Sequence, residues 1–228
     1  MAKNSGGTRN YRNNPKALST RRREFEGLMS SGFYDISRSY FDPSGGFVAT
    51  NKEHNEAKDP ELDKEKEATL FLANKGYKVY LDSERATIEF EPHNDGRIYN
   101  IPMDIKTINF AGKHTIKRQL EKASTQNVKA VVLYQNNPLV DKNYVKNQIY
   151  GENGFIQKSP KNALEKIDWI IVVGSNGHVH RHDIRKEKAA RLNSSRRICL
   201  PNSDSSAILC RNGAPAYRVT PTDKSLQI

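Results

Sequence analysis

The stretch from Arg97 to Asn127, RIYNIPMDIKTINFAGKHTIKRQLEKASTQN, does most to constrain the fold. It reads as one strand, a glycine-bearing turn and one helix. Along the strand Tyr99, Ile101, Met103 and Ile105 alternate with Ile98, Asn100, Pro102, Asp104 and Lys106. Side chains two apart share a face of a strand, so Asp104 and Lys106 point one way and Met103 and Ile105 the other. Gly112 marks the turn. The helix, from about His114, carries Ile116, Leu120 and Ala123 as a core-facing stripe. Thr115, Gln119, Lys122 and Gln126 make a second, wholly polar stripe at the same spacing. An acid and an amine side by side on a strand, followed by a polar helix face, can hold a metal and a phosphate.

The flanking chain supplies an α/β setting with a mixed central sheet. Asp59-Pro60 is a helix start, since Asp can cap and Pro is tolerated at the first helical position. Lys75-Gly76 is the matching stop. Within that helix Glu65 shares a face with Ala68 and Leu72, where a carboxylate is costly unless paired or bound to a cation. Strands are predicted at Tyr77–Leu81, Thr87–Glu91 and the central stretch, with a turn at 92–96 between the last two. Lys129–Tyr134 and Asp168–Gly174 are continuous apolar runs typical of buried strands. The order of the core is therefore α-β-β-β-α-β. Helical segments are expected at about 141–150 and 162–167. Ser175-Asn176-Gly177 is a hairpin signal, returning as a strand over His178–Ile184. That strand sets His178, His180 and His182 on one face, either a solvated row or a transition-metal site.

Ahead of the core, residues 1–45 read as a basic arm followed by a docking helix over Ala17–Ser30. Phe33, Tyr34, Ile36, Tyr40 and Phe41 follow at roughly helical spacing, as docking aromatics. Pro43-Ser44-Gly45-Gly46 is a boundary signal. The loop 51–57 carries His54, readable as a solvated side chain, a general acid/base or a phosphate contact. The α/β domain spans 46–184. Residues 185–228 read as a basic segment and then a Ser/Asn/Pro-rich tail, irregular from Asn193 onward.

Charge decides which partners suit such a chain. Its 228 residues carry 37 Lys+Arg against 26 Asp+Glu, net +11. That balance favours nucleic acid, with a membrane surface second. No apolar run reaches membrane-spanning length, and no apolar stretch follows the basic start as in a secretory signal. The two cysteines, Cys199 and Cys210, form neither a disulfide framework nor a zinc site, which suits a reduced cytoplasm.

Two carboxylates and a lysine from separate elements suit metal-assisted phosphodiester cleavage. Carboxylates hold a hard divalent cation, which polarises a phosphoryl oxygen and acidifies a bound water. A lysine orients that water or neutralises developing charge. The expected ligands are Glu65, Asp95 (with Glu91 as the alternative) and Asp104, for Mg or else Mn or Zn. Lys106 is the electrostatic catalyst. Thr115 and Gln126, or Gln119 in its place, would contact phosphate or fix the water. Lys113, Lys117, Arg118 and Lys122 would bind the nucleic-acid backbone.

The segments KEKEATLFLANKGYKVYL, NDGRIYNIPMDIKT and GKHTIKRQLEKASTQNVKAVVLY together resemble the nuclease domains at the C-termini of contact-dependent growth-inhibition toxins. The element order is similar to that of the PD-(D/E)xK nuclease superfamily. The matching positions are Glu65, Leu72-Ala73, Gly76, Val79, Asp104, Lys106, Thr115-Ile116, Lys122-Ala123 and Gln126. The chain departs from the pattern in two places. His93-Asn94 separates Pro92 from Asp95, and Asp104 stands where glutamate is common. The resemblance implies a toxin-like nuclease, with tRNA the frequent target and an acidic immunity protein as partner. It also implies delivery into a target cell as an alternative to a resident cytoplasmic role. Some related toxin tRNases have a barnase/colicin-like fold and need no metal; in that reading His54, Lys106, Thr115 and Lys117 act by acid/base chemistry and phosphate binding. The long basic arm suits a free-standing protein of a mobile element. The rivals are a Mg-dependent DNA endonuclease of such an element, and an inactive module that binds nucleic acid or protein.

Overall fold

The structure, a computed structural model, describes residues 11–54, 60–83, 94–135, 137 and 140–197. In chain order the elements are α1 (Pro15–Ser30), β1 (Tyr40–Phe41), β2 (Phe47–Thr50), α2 (Pro60–Asn74), β3 (Lys78–Leu81), β4 (Gly96–Ile98), β5 (Ile101–Ile108), α3 (Thr115–Ser124), β6 (Ala130–Gln135), α4 (Lys142–Tyr150), α5 (Phe155–Lys158), α6 (Lys161–Lys166), β7 (Trp169–Gly174), β8 (Val179–Asp183) and α7 (Arg185–Arg197). The eight strands form one mixed sheet whose spatial order follows the sequence. The pairs β2–β3, β5–β6 and β6–β7 are parallel and the other four are antiparallel. Each parallel pair is bridged by helical chain, as parallel pairing requires. The expected strand over Thr87–Glu91, with Glu91, lies outside the described residues, as do the first ten residues, Pro92-His93 and the tail after Arg197 with both cysteines. No helix among the described residues is long and apolar enough to cross a membrane.

Two cores sandwich the sheet. On one face α2 brings Ala68, Leu72 and Ala73 against Val48, Val79, Ile98, Met103, Ile105, Val132 and Ile171. On the other, Ile116, Leu120 and Ala123 of α3 join Val131, Leu133, Ile170 and side chains of α4–α6. Near the start of the sheet that second face is covered instead by α1, whose Phe25, Leu28 and Met29 rest on Phe47, Ala49 and Tyr80. Buried Arg21 ties α1 down, donating to the Gly45 carbonyl at 2.8 Å and the Gly76 carbonyl at 2.9 Å. Gly76 takes φ +82°, the left-handed close expected after α2.

Three expectations change. The central strand is not continuous from Ile98. It is a hairpin in which Ile98 pairs directly with Ile101, turning at Tyr99-Asn100. Tyr99 takes φ +56° there, a conformation usually left to Gly or Asn, so the sequence carries no turn signal. Ile98 consequently joins the face of Met103 and Ile105. The aromatic run after α1 is not helical. Tyr34 and Phe41 do dock, Tyr40–Phe41 forms β1, but Phe33 and Ile36 stand 70% and 71% exposed. Finally, helix α7 continues to Arg197, past the expected irregular start at Asn193. Two of its cations are held by the ends of neighbouring elements: Lys188 donates to the carbonyls of Glu165 and Ile167 and pairs with Asp168, and Arg191 donates to the Ile156 carbonyl at 2.5 Å.

Candidate functional site

Strand β5 sends Asp104 and Lys106 to the α3 face, because Met103 and Ile105 are claimed by the α2 core. Register then brings in a second acid. Gly96 pairs with Met103, so one step further along the antiparallel ladder Asp95 faces Asp104. Asp95 accepts from the Ile105 amide at 2.5 Å, which fixes its carboxylate at that ladder position. Lys106 reaches back along its own strand and donates to Asp104 at 2.6 Å. The crossover from β5 through α3 to β6 closes the cluster. Gln126 follows the last turn of α3, and its amide nitrogen, turned toward the acid, donates to both Asp104 oxygens at 2.8 and 2.9 Å.

Asp104 is fully buried, and its Lys106 partner is only 17% exposed. Burial pushes the Asp104 carboxyl up, the Asp95 charge pushes it further, and Lys106 pulls it back; it stands at about 7. The group is thus balanced between acid and carboxylate near neutrality. Such a balance is common where proteins do chemistry and also arises in structural networks.

The other expected residues lie elsewhere. Glu65 belongs to α2, which packs on the face opposite Asp104. Among the described residues no three His, Cys, Asp or Glu side chains form a metal-binding group. His54 is buried, with Nδ1 at 2.8 Å from the Asp82 carbonyl. Thr115 accepts from the Gly112 amide at 3.1 Å and, with Lys113, Arg118 and Gln119, lines a hollow at the far end of α3. Lys117 stands 3.8 Å from Glu121, while Lys122 is exposed. His178 and His180 are exposed. His182 is half-buried, its ring 4.5 Å from that of His180 and its Nδ1 3.1 Å from the Tyr150 hydroxyl.

One pair beside the cluster escaped the sequence reading. Asp82, just past β3, takes Arg97 in a two-pronged ion pair at 2.7 and 2.9 Å, and the guanidinium sits over the Tyr80 ring at 4.8 Å. Only the β3–β4 register, Leu81 against Gly96, brings them together, and no local pattern encodes it.

The donor chemistry suits a hard divalent cation in part. Asp95 and Asp104 are oxygen ligands of the kind Mg holds with one or two carboxylates plus substrate phosphate. Both Asp104 oxygens are already engaged by Lys106 and Gln126, so a cation would replace or share those bonds.

No family model matches the chain, and no curated protein matches it either. Among solved structures, the chain is similar to one chain of a CdiA-CT/CdiI toxin and immunity complex from Burkholderia pseudomallei, at 17% identity and TM-score 0.41. The superposition covers 59% of this chain and 98% of that one. At that score it is a partial overlap of fold and carries no residue or role across.

Proposed function

We propose that the protein is a nuclease acting on RNA phosphodiesters, tRNA first, with Asp95, Asp104, Lys106 and Gln126 as its reaction centre. The observation that carries this reading is the buried Asp104, held near neutrality between a second carboxylate, an ammonium and an amide. Asp95 and Asp104 would hold a divalent cation, which when bound supplies Lewis acidity toward a phosphoryl oxygen and acidifies a water. The protein's own groups do the rest. Lys106 balances the carboxylate charge and places an ammonium where phosphoryl charge develops. Gln126 fixes the plane of the Asp104 carboxylate. The net charge of +11 draws the polyanion in a salt-dependent way. Glu65, on the other face, takes no part. As a toxin the protein would be antagonised by an acidic partner covering this basic surface.

A second reading is favoured by the complete burial of Asp104 and the bonds on both of its oxygens: the cluster is structural and the protein binds nucleic acid without cutting it. Incubating the purified protein with total tRNA and with plasmid DNA, with and without EDTA, separates the two. Cleavage of tRNA that EDTA abolishes supports the proposal. Cleavage of plasmid alone assigns the substrate to DNA. EDTA-insensitive RNA cleavage removes the cation. Binding of both nucleic acids without cleavage establishes the second reading.

A further inference from the structure

A hollow of about 200 Å³ lies at the start of α3, lined by Phe110, Lys113, His114, Thr115, Arg118 and Gln119. It is smaller than the roughly 300–1,000 Å³ typical of pockets for whole small molecules, so it takes one group of a larger ligand, the rest lying over the exposed side chains at its rim. Three features define its chemistry. Phe110 is 63% exposed, presenting a ring to solvent at the edge of the hollow. Lys113 and Arg118 are exposed and have no ion-pair partner among the described residues. The loop that displays them is firmly held: Tyr144 donates to the Gly112 carbonyl at 2.6 Å, Gln148 to the Lys113 carbonyl at 2.6 Å, and Asn137 to the Asn109 carbonyl at 2.9 Å.

An exposed aromatic on a loop fixed by three hydrogen bonds is a stacking platform already in place. Cations beside such a platform are the combination that binds single-stranded nucleic acid, where a base stacks and the phosphate pairs with a cation. Protein partners that want a lone Phe would rather meet an apolar surround, and here the neighbours are Lys, Arg, Gln and Thr.

We infer that this hollow is a subsite for one unpaired nucleotide, its base stacked on Phe110, its edge read by Gln119 and its phosphate held by Lys113 and Arg118. The inference rests on the nucleic-acid reading above and narrows it to single-stranded or looped substrate. From Thr115 to Ser124 the helix rises roughly 13–14 Å, and Gln126 lies just beyond its end. The same α3 that brings Gln126 to Asp104 therefore sets the subsite a few nucleotides from the reaction centre.

The test is fluorescence anisotropy with a short labelled single-stranded RNA of mixed sequence and with its duplex, in EDTA and with 2′-O-methylated riboses, so that neither cation-dependent nor 2′-hydroxyl cleavage occurs. The parent protein should prefer the single strand. Phe110→Ala should weaken that binding by about 5- to 150-fold, the range of one lost base stack. Arg118→Gln should lower the salt slope by about one. Since Phe110 is exposed, its truncation should leave the fold intact, to be checked by circular dichroism. Phe110→Trp gives an independent signal, since its emission should be quenched as the single strand binds. Parent binding with F110A unchanged, or F110W emission unmoved at saturation, overturns the subsite while leaving the nucleic-acid reading standing. A parent that binds neither RNA overturns both.

Discussion

Replacing Asp104 by Asn should stabilise the protein increasingly as pH rises. In the folded state the Asp104 carboxyl is pushed from 3.8 to about 7, by burial first and by the Asp95 charge second. A folded-state value above the unfolded one means the native protein binds the proton more tightly. Stability from this group is therefore full below about pH 4 and is lost as pH climbs to about 7. The shift spans about three pH units, and at 1.36 kcal/mol each the loss is about 4 kcal/mol. Because the side chain is fully buried, solvent offers little discount. The parent's own pH profile does not isolate this effect. His182 is lowered to about 4, by burial and by His180, and its contribution has the opposite slope between about pH 4 and 6.5. The difference between D104N and parent cancels His182. Urea unfolding of both proteins from about pH 4 to pH 8, in EDTA, should show D104N gaining about 4 kcal/mol on the parent across that range. Asn keeps the shape and still accepts from Lys106, so little offset is expected at the acid end. A difference that stays flat within about 0.5 kcal/mol would mean Asp104 ionises as an ordinary carboxyl, and the charge argument for the site would fall.

Three further perturbations follow from the same structure. Lys106→Ala should remove cleavage by about 100-fold or more while leaving RNA affinity within a few-fold, checked by kcat against Kd; loss of both together would make Lys106 a binding residue only. Gly112→Ala should destabilise by about 1–3 kcal/mol and loosen the α3 loop, because the new Cβ would meet Thr115 Oγ1 at 2.7 Å and Phe110 Cε2 at 3.0 Å. A melting temperature within a degree of the parent's would refute it. His182→Gln should flatten the acid side of the stability profile, since below about pH 6.5 the unfolded chain protonates this imidazole while the native protein holds it neutral down to about 4; an unchanged loss of stability on acidification assigns that slope elsewhere.

The site was legible wherever chemistry follows from one strand or one helix. The pleat alone puts Asp104 and Lys106 on one face, and the apolar pair Met103 and Ile105 decides which face that is. Helix α2 is bracketed by Pro60 and Gly76, and α3 by its stripe of Ile116, Leu120 and Ala123. What depends on pairing between distant segments was not legible. The turn at Tyr99-Asn100 has a tyrosine in the left-handed position, and Asp82 meets Arg97 only through the β3–β4 register. Helix α7 hides for another reason: its Lys188 and Arg191 cap carbonyls of other elements, so hydrophobic periodicity has little to report. Glu65 fits an amphipathic pattern correctly, yet the pattern does not say which side of the sheet its helix covers.

The arrangement also explains how a fold tolerates so costly an acid. The β5–α3–β6 unit is set by apolar contacts, Ile116, Leu120 and Ala123 against Val131 and Leu133. The parallel ladder pairs Met103 with Ala130 and Asp104 with Val131, so the chain leaving α3 must arrive level with Asp104. Gln126 is delivered there by the same register, not by any attraction of its own. The cluster is thus a passenger on a core that does not need it. A buried ion pair kept only for stability is commonly replaceable by apolar side chains at no loss. A variant such as D104N that is more stable but inactive would mark the cluster as held for its chemistry, whereas one that is less stable at every pH would mark Asp104 and Lys106 as an internal strut.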